Sequence, residues 1–92
     1  MSLIDIENKV REKVNVTFTK AIDLRGGDHI QLIVVSKEFE NKTLVEQHKL
    51  IYDIFSQEMQ SNVIHALTLK TYTPSQWEKV NPAFDLKIGH DI

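Results

Sequence analysis

Apolar residues recur at helical spacing from the start of the chain, at Leu3, Ile6, Val10 and Val14, with polar residues between them. Ser2 followed by Asp5 resembles a capping box with Asp in place of Glu, and together these features predict a helix over about 3–14. From Val16 the period is two. Val16, Phe18 and Lys20 fall on one face and Asn15, Thr17, Thr19 and Ala21 on the other, which predicts a half-buried strand over about 15–23. Leu24-Arg25-Gly26-Gly27-Asp28 is a turn cluster, and His29 to Ser36 is a second strand rich in β-branched residues. Two such strands joined by a short Gly-containing loop form a β-hairpin. The run Ile33-Val34-Val35 marks the second strand as central, with both faces partly covered.

Lys37 to Lys42 is a charged connection, with Phe39 turned back to the core. Thr43 to about Met59 reads as helical, with a break near its middle or end left open by the sequence, and carries the stripe Leu44, His48, Ile51, Phe55 and Met59, widened by Val45, Tyr52 and Ile54. Ser61-Asn62 stops it, Val63 to Tyr72 is a third strand, and Thr73-Pro74 are N-cap and N1 of a short helix through Trp77 to about Val80. Asn81 to Ile92 has no period and is expected to be a flexible tail. The order is αββαβ(α). It predicts a single α+β domain over 1–80, a three-stranded mixed sheet with the helices packed on one face. A helical crossover makes the third strand parallel to one strand of the hairpin.

Composition narrows the function classes. A chain of 92 residues holds one modest core. The absence of Cys removes a disulfide scaffold, a thiolate nucleophile and any metal site built from the chain's own sulfur. With 11 Lys+Arg against 13 Asp+Glu the net charge is -2, which disfavours a broadly basic nucleic-acid binder. No apolar run approaches the ~20 residues that span a bilayer, and no secretory or transit signal opens the chain, so a cytoplasmic protein without a membrane role is expected.

The chain carries no GxSxG, HExxH, Walker A or GxGxxG pattern, and Gly26-Gly27 is not followed by a helix that would cradle phosphate. A non-enzymatic role is expected. Four histidines remain. His65 stands at the start of an apolar strand, where it is either a partly buried side chain bonded to backbone or a metal ligand or proton carrier. His29 stands where the hairpin loop meets the second strand, either as a loop residue or as one that swings toward a partner on the glycine-freed backbone. Two histidines do not close a metal site, since structural zinc takes four ligands. His48, beside Lys49, is a helix histidine or a phosphate contact; Lys37, Lys42 and Lys49 are candidates for a local basic patch. His90, in the tail, is assigned no role.

Two strings carry more than the composition does. Phe39-Glu40-Asn41 through Gln47-His48-Lys49-Leu50-Ile51-Tyr52, and Ile64-His65-Ala66-Leu67 through Tyr72-Thr73-Pro74-Ser75-Gln76-Trp77, closely resemble the BolA family. The similarity runs from about Val14 to Trp77. Asn41 replaces the usual Gly of the first string, and Asn tolerates a left-handed backbone. Gln47 replaces a common basic residue, which removes a positive charge, and Gln76 replaces Glu before Trp77.

The resemblance implies a class II KH-like fold, without the G-x-x-G loop that clamps RNA backbone in KH domains. It implies a monothiol glutaredoxin as partner, in a complex that shares a [2Fe–2S] cluster. The glutaredoxin Cys and a glutathione thiol would hold one side. On this chain the family's two ligands correspond to His65 and to the loop residue His29. No cofactor is expected in the isolated chain, which would be a monomer. Replacing thiolates by neutral imidazoles would raise the cluster's potential, as in Rieske centres. The resemblance carries an alternative as well: a DNA-binding transcriptional regulator of stress response and cell morphology, with His48, Lys49 and Lys70 as contacts.

Overall fold

A computed structural model describes the backbone of residues 1–87 and the side chains of residues 1–81. The elements are α1 (Leu3–Lys13), β1 (Val16–Arg25), β2 (His29–Ser36), a 3-10 turn (Lys37–Phe39), α2 (Leu44–Ile54), α3 (Ser56–Gln60), β3 (Ala66–Tyr72) and α4 (Pro74–Lys87). The sheet order is β1-β2-β3, with β1 antiparallel and β3 parallel to the central β2. This is the mixed three-stranded sheet that the sequence predicts.

α1 begins with the expected box: Ser2 Oγ accepts from Asp5 N–H and Asp5 accepts from Ser2 N–H. α2 has a second, between Thr43 and Glu46, and Thr73 and Gln76 bond reciprocally at the start of α4. Gln76 thus performs the amide version of the Glu role. Asn41 has φ 65, the left-handed conformation its side chain tolerates at least cost after Gly.

Three expectations change, and one point the sequence leaves open is decided. First, Val16 and Phe18 do not share a face. Val16 pairs with Ser36 and Phe18 with Val35, so Thr17 is an extra residue in a bulge that turns the strand over. Val16 packs on the main core and Phe18 on the opposite side. Second, the helical stretch 43–59, whose continuity the sequence leaves open, is two helices. The break falls at Phe55, whose N–H bonds Tyr52 O in a tightened turn while its ring is fully buried. Leu44 and Val45 are exposed, and the buried residue of the first turns is Gln47. Third, β3 starts at Ala66; Val63, Ile64 and His65 form a bend that leads into it.

Fourth, the helices do not all lie on one face. Ile6, Val10, Ile51 and Phe55 pack with Ala21, Ile30, Leu32, Val34, Leu67 and Leu69 on one side of the sheet. On the other side Trp77 of α4 covers Ile33 and Val35, together with Phe18, Ile22, Tyr72 and Val80. Trp77 stacks on Phe18 with ring centroids 5.1 Å apart and meets Tyr72 at 5.4 Å. The central strand is apolar on both faces, so both faces need cover. α4 also continues past the expected end near Val80, to Lys87. The rest of the expected tail, His90 included, lies outside the described residues.

Candidate functional site

The histidine pair is set by one turn and one register. After β1 the chain turns through Gly26 (φ 69) and Gly27 (φ 82), which a side chain would strain. Gly27 N–H donates to Asp23 Oδ1 at 3.1 Å, closing the loop on the strand it leaves. Asp28 and His29 follow, with His29 the first residue of β2. The parallel pairing sets His29 beside Ala66, so His65 arrives next to His29. The main-chain carbonyl of Asp28 accepts from both His65 N–H (2.8 Å) and Ala66 N–H (3.1 Å).

The two imidazole rings have centroids 5.1 Å apart and are tilted by 43°. His65 is exposed and His29 half-buried. His29 Nδ1 lies 2.8 Å from Asp28 Oδ1. That hydrogen bond holds the Asp28 carboxyl below its ordinary value, against a smaller desolvation effect. An ionised carboxylate only accepts, so the proton of this bond sits on His29 Nδ1, and the neutral ring keeps its lone pair on Nε2.

The ring separation is compatible with two imidazoles on one metal ion. Two imidazoles on one metal, with metal–nitrogen bonds of about 2.1 Å and an angle of roughly 105°, have centroids about 5 Å apart. Among the described residues, no group of three or more His, Cys, Asp or Glu is placed to hold a metal ion unaided. Two histidines are nevertheless the complement that one iron of a Rieske-type [2Fe–2S] cluster takes, with thiolates on the other.

The residues of the alternative site are not brought together. His48 is half-buried on α2, and its Nε2 is buried with no hydrogen-bond partner among the described residues. Lys49 is exposed and pairs with Asp53 at 3.1 Å. Lys70 alternates with Leu69 and Thr71, which face α2, so its side chain leaves the sheet on the α4 face. Lys42 lines an open cleft of about 500 Å³ with Leu44, Gln47, Tyr72 and Lys79, and among the described residues no histidine lines it.

Sequence reasoning missed two residues. Asp28 was only part of a turn cluster, although an acidic residue directly before a candidate ligand is a visible signal. Gln47 was read as a lost charge. In the structure it is buried, donates to Phe39 O (3.2 Å) and Lys42 O (3.0 Å), and accepts from Thr71 Oγ1 (2.6 Å).

Known proteins share both sequence and fold. Protein BOLA2 of Arabidopsis thaliana is 34% identical over 76 residues, covering 79% of this chain and 80% of its own. The DNA-binding transcriptional regulator BolA of Escherichia coli is 30% identical over 81 residues, covering 79% and 76%. The crystal structure of a bol-like protein from Babesia bovis superposes with a TM-score of 0.75 at 32% identity, covering 88% of this chain and 94% of that one. Residues 2–76 match the family described as BolA-like protein, and the chain belongs to that family.

Proposed function

We propose that this protein is a non-catalytic adaptor that binds a monothiol glutaredoxin and shares a [2Fe–2S] cluster with it, in iron–sulfur trafficking or iron and redox regulation. The observation that carries the reading is the imidazole pair at 5.1 Å on one end of the sheet. His29 and His65 would hold one iron. The glutaredoxin cysteine and a glutathione thiol would hold the other. When bound, the cluster supplies the electron- and iron-transfer chemistry. The chain's own part is to offer two neutral donors, one from the first residue of β2 and one from the bend ahead of β3. Neutral donors in place of thiolates remove negative charge from the cluster and raise its potential.

The test mixes this protein with a [2Fe–2S] glutaredoxin and glutathione and follows visible absorbance and circular dichroism. A new spectrum is expected for the wild type, altered in His65→Ala and in His29→Ala. Unchanged spectra in both variants would overturn the ligand assignment.

A second reading, a DNA-binding regulator of stress response and cell morphology, draws its support from the name of the Escherichia coli relative. It requires steeply salt-dependent DNA binding through His48, Lys49 and Lys70. Absence of binding at low salt would dispose of it.

A further inference from the structure

We infer that Asp28 is the positioning residue of the histidine pair: its carboxylate fixes which nitrogen of His29 faces outward, and its main-chain carbonyl fixes where His65 stands. The inference rests on the cluster-sharing reading for its purpose, but its structural content stands on this chain alone.

Three contacts converge on one residue. Asp28 Oδ1 lies 2.8 Å from His29 Nδ1, while Asp28 O receives the N–H groups of His65 and Ala66. The side chain and the backbone therefore act on different histidines. Free imidazole in water exchanges between two neutral tautomers, and a carboxylate at Nδ1 selects the one protonated there. Nε2 of His29 is then always the nitrogen with the free lone pair. Metal-binding histidines commonly have such a partner on the other nitrogen, which orients the ring and raises its basicity. A proton shared toward a carboxylate also makes the imidazole a stronger donor. Asp28 thus opposes part of the rise in potential that two neutral ligands bring.

The backbone contact accounts for the second ligand. His65 lies in a bend ahead of β3, not in the ladder, and a side chain there is oriented only as well as its main chain is held. The double acceptance by Asp28 O ties that bend to the hairpin end at the point where His29 begins β2. A substitution of the Asp28 side chain leaves this second tether in place, so the two effects separate.

The experiment has two arms, with Asp28→Asn and Asp28→Ala as variants and Asp28→Glu as a second acid. In the first arm, long-range ¹H–¹⁵N spectra of the apo protein at pH 8 read the His29 tautomer. The expected result is Nδ1–H in the wild type and a shift toward Nε2–H in Asp28→Ala. The amide shifts of His65 and Ala66 stay close to wild type, which establishes that the variant is folded. A wild type that is Nε2–H, or a tautomer unmoved in Asp28→Ala, overturns the inference. In the second arm, the mixed [2Fe–2S] complex with glutaredoxin and glutathione is titrated and its potential recorded. Asp28→Asn is expected to bind about 10- to 100-fold more weakly, the range for loss of a residue that orients a ligand, and to shift the potential upward. Wild-type affinity and potential in Asp28→Asn also overturn it. If even the wild type forms no mixed complex, the cluster-sharing reading fails, and the tautomer arm still decides the role of Asp28.

Discussion

At the residue scale, Gln47 shows how a single polar side chain ties three segments together. Its amide satisfies two carbonyls at the end of the 3-10 turn and the start of α2, and its carbonyl takes the Thr71 hydroxyl from β3. Buried groups that lose their partner cost about 1–3 kcal/mol each, so Gln47→Ala is expected to destabilise the fold by roughly 2–4 kcal/mol in urea titrations. A loss under 1 kcal/mol would show that water replaces the amide. Asn41 makes a smaller contribution with a clear sign. At φ 65, Asn41→Gly should be neutral or slightly stabilising, whereas Asn41→Ala should cost about 1 kcal/mol, or roughly 4–8 °C in Tm for a domain this size. The left-handed turn was legible in the string, because only a few residue types tolerate that conformation. The role of Gln47 was not, because its hydroxyl partner Thr71 lies 24 residues away on β3, and its two carbonyl partners come within reach only once the connection before α2 has folded.

Two carboxylates, Asp28 and Glu58, are held below their ordinary values by hydrogen-bonded partners. Glu58 of α3 is paired with Lys9 of α1, whose ammonium also lies 5.6 Å from the centre of the Phe55 ring. The hydrogen bond from Lys9 holds the Glu58 carboxyl below its ordinary value, although partial burial opposes it. A depressed folded pKa means the stabilisation is fully present above the unfolded value, near 4.3 for Glu, and fades as pH falls through the folded one. Glu58→Gln is therefore expected to lower stability at pH 7 and to match wild type in strong acid. A pH-independent gap between the two in denaturant titrations would assign the effect to packing instead.

At the element scale, the sheet explains why the helices divide. The apolar run in β2 was legible and called for cover on both faces. The covering helix was under-read because only Trp77 and Val80 fell within its expected length. The bulge at Thr17 was hidden too, since an inserted residue leaves no mark in a period-two pattern until pairing is known. The division makes a direct prediction. Trp77 is the only Trp in the chain and the centre of the second apolar cluster. Trp77→Phe should retain the fold with a modest loss, whereas Trp77→Ala should cost about 3–4 kcal/mol by exposing Phe18, Ile33 and Val35. In the wild type, its fluorescence should be blue-shifted when native and move to the red with the main unfolding transition. A red-shifted native spectrum would mean α4 is not docked.

At the scale of the whole molecule, the site is a product of topology. His29 and His65 are far apart in the chain, and neither lies in a motif that spacing alone connects. The family resemblance named both, but their adjacency comes from parallel pairing of β2 with β3, a long-range feature that local patterning does not encode. Adjacency has a consequence for proton competition. A protonated imidazole has no lone pair to donate, so each histidine that ligates the shared cluster adds one proton that competes with the metal. The affinity of the mixed complex is expected to fall on acidification, with the wild type steeper than His29→Ala. Thiols on the glutaredoxin side titrate identically in both complexes, so the difference in slope isolates His29. Its limiting value is one proton. Equal slopes for the two proteins would mean that His29 stands beside the cluster without binding it. The 5.1 Å ring separation would then serve the packing of the hairpin end rather than the metal.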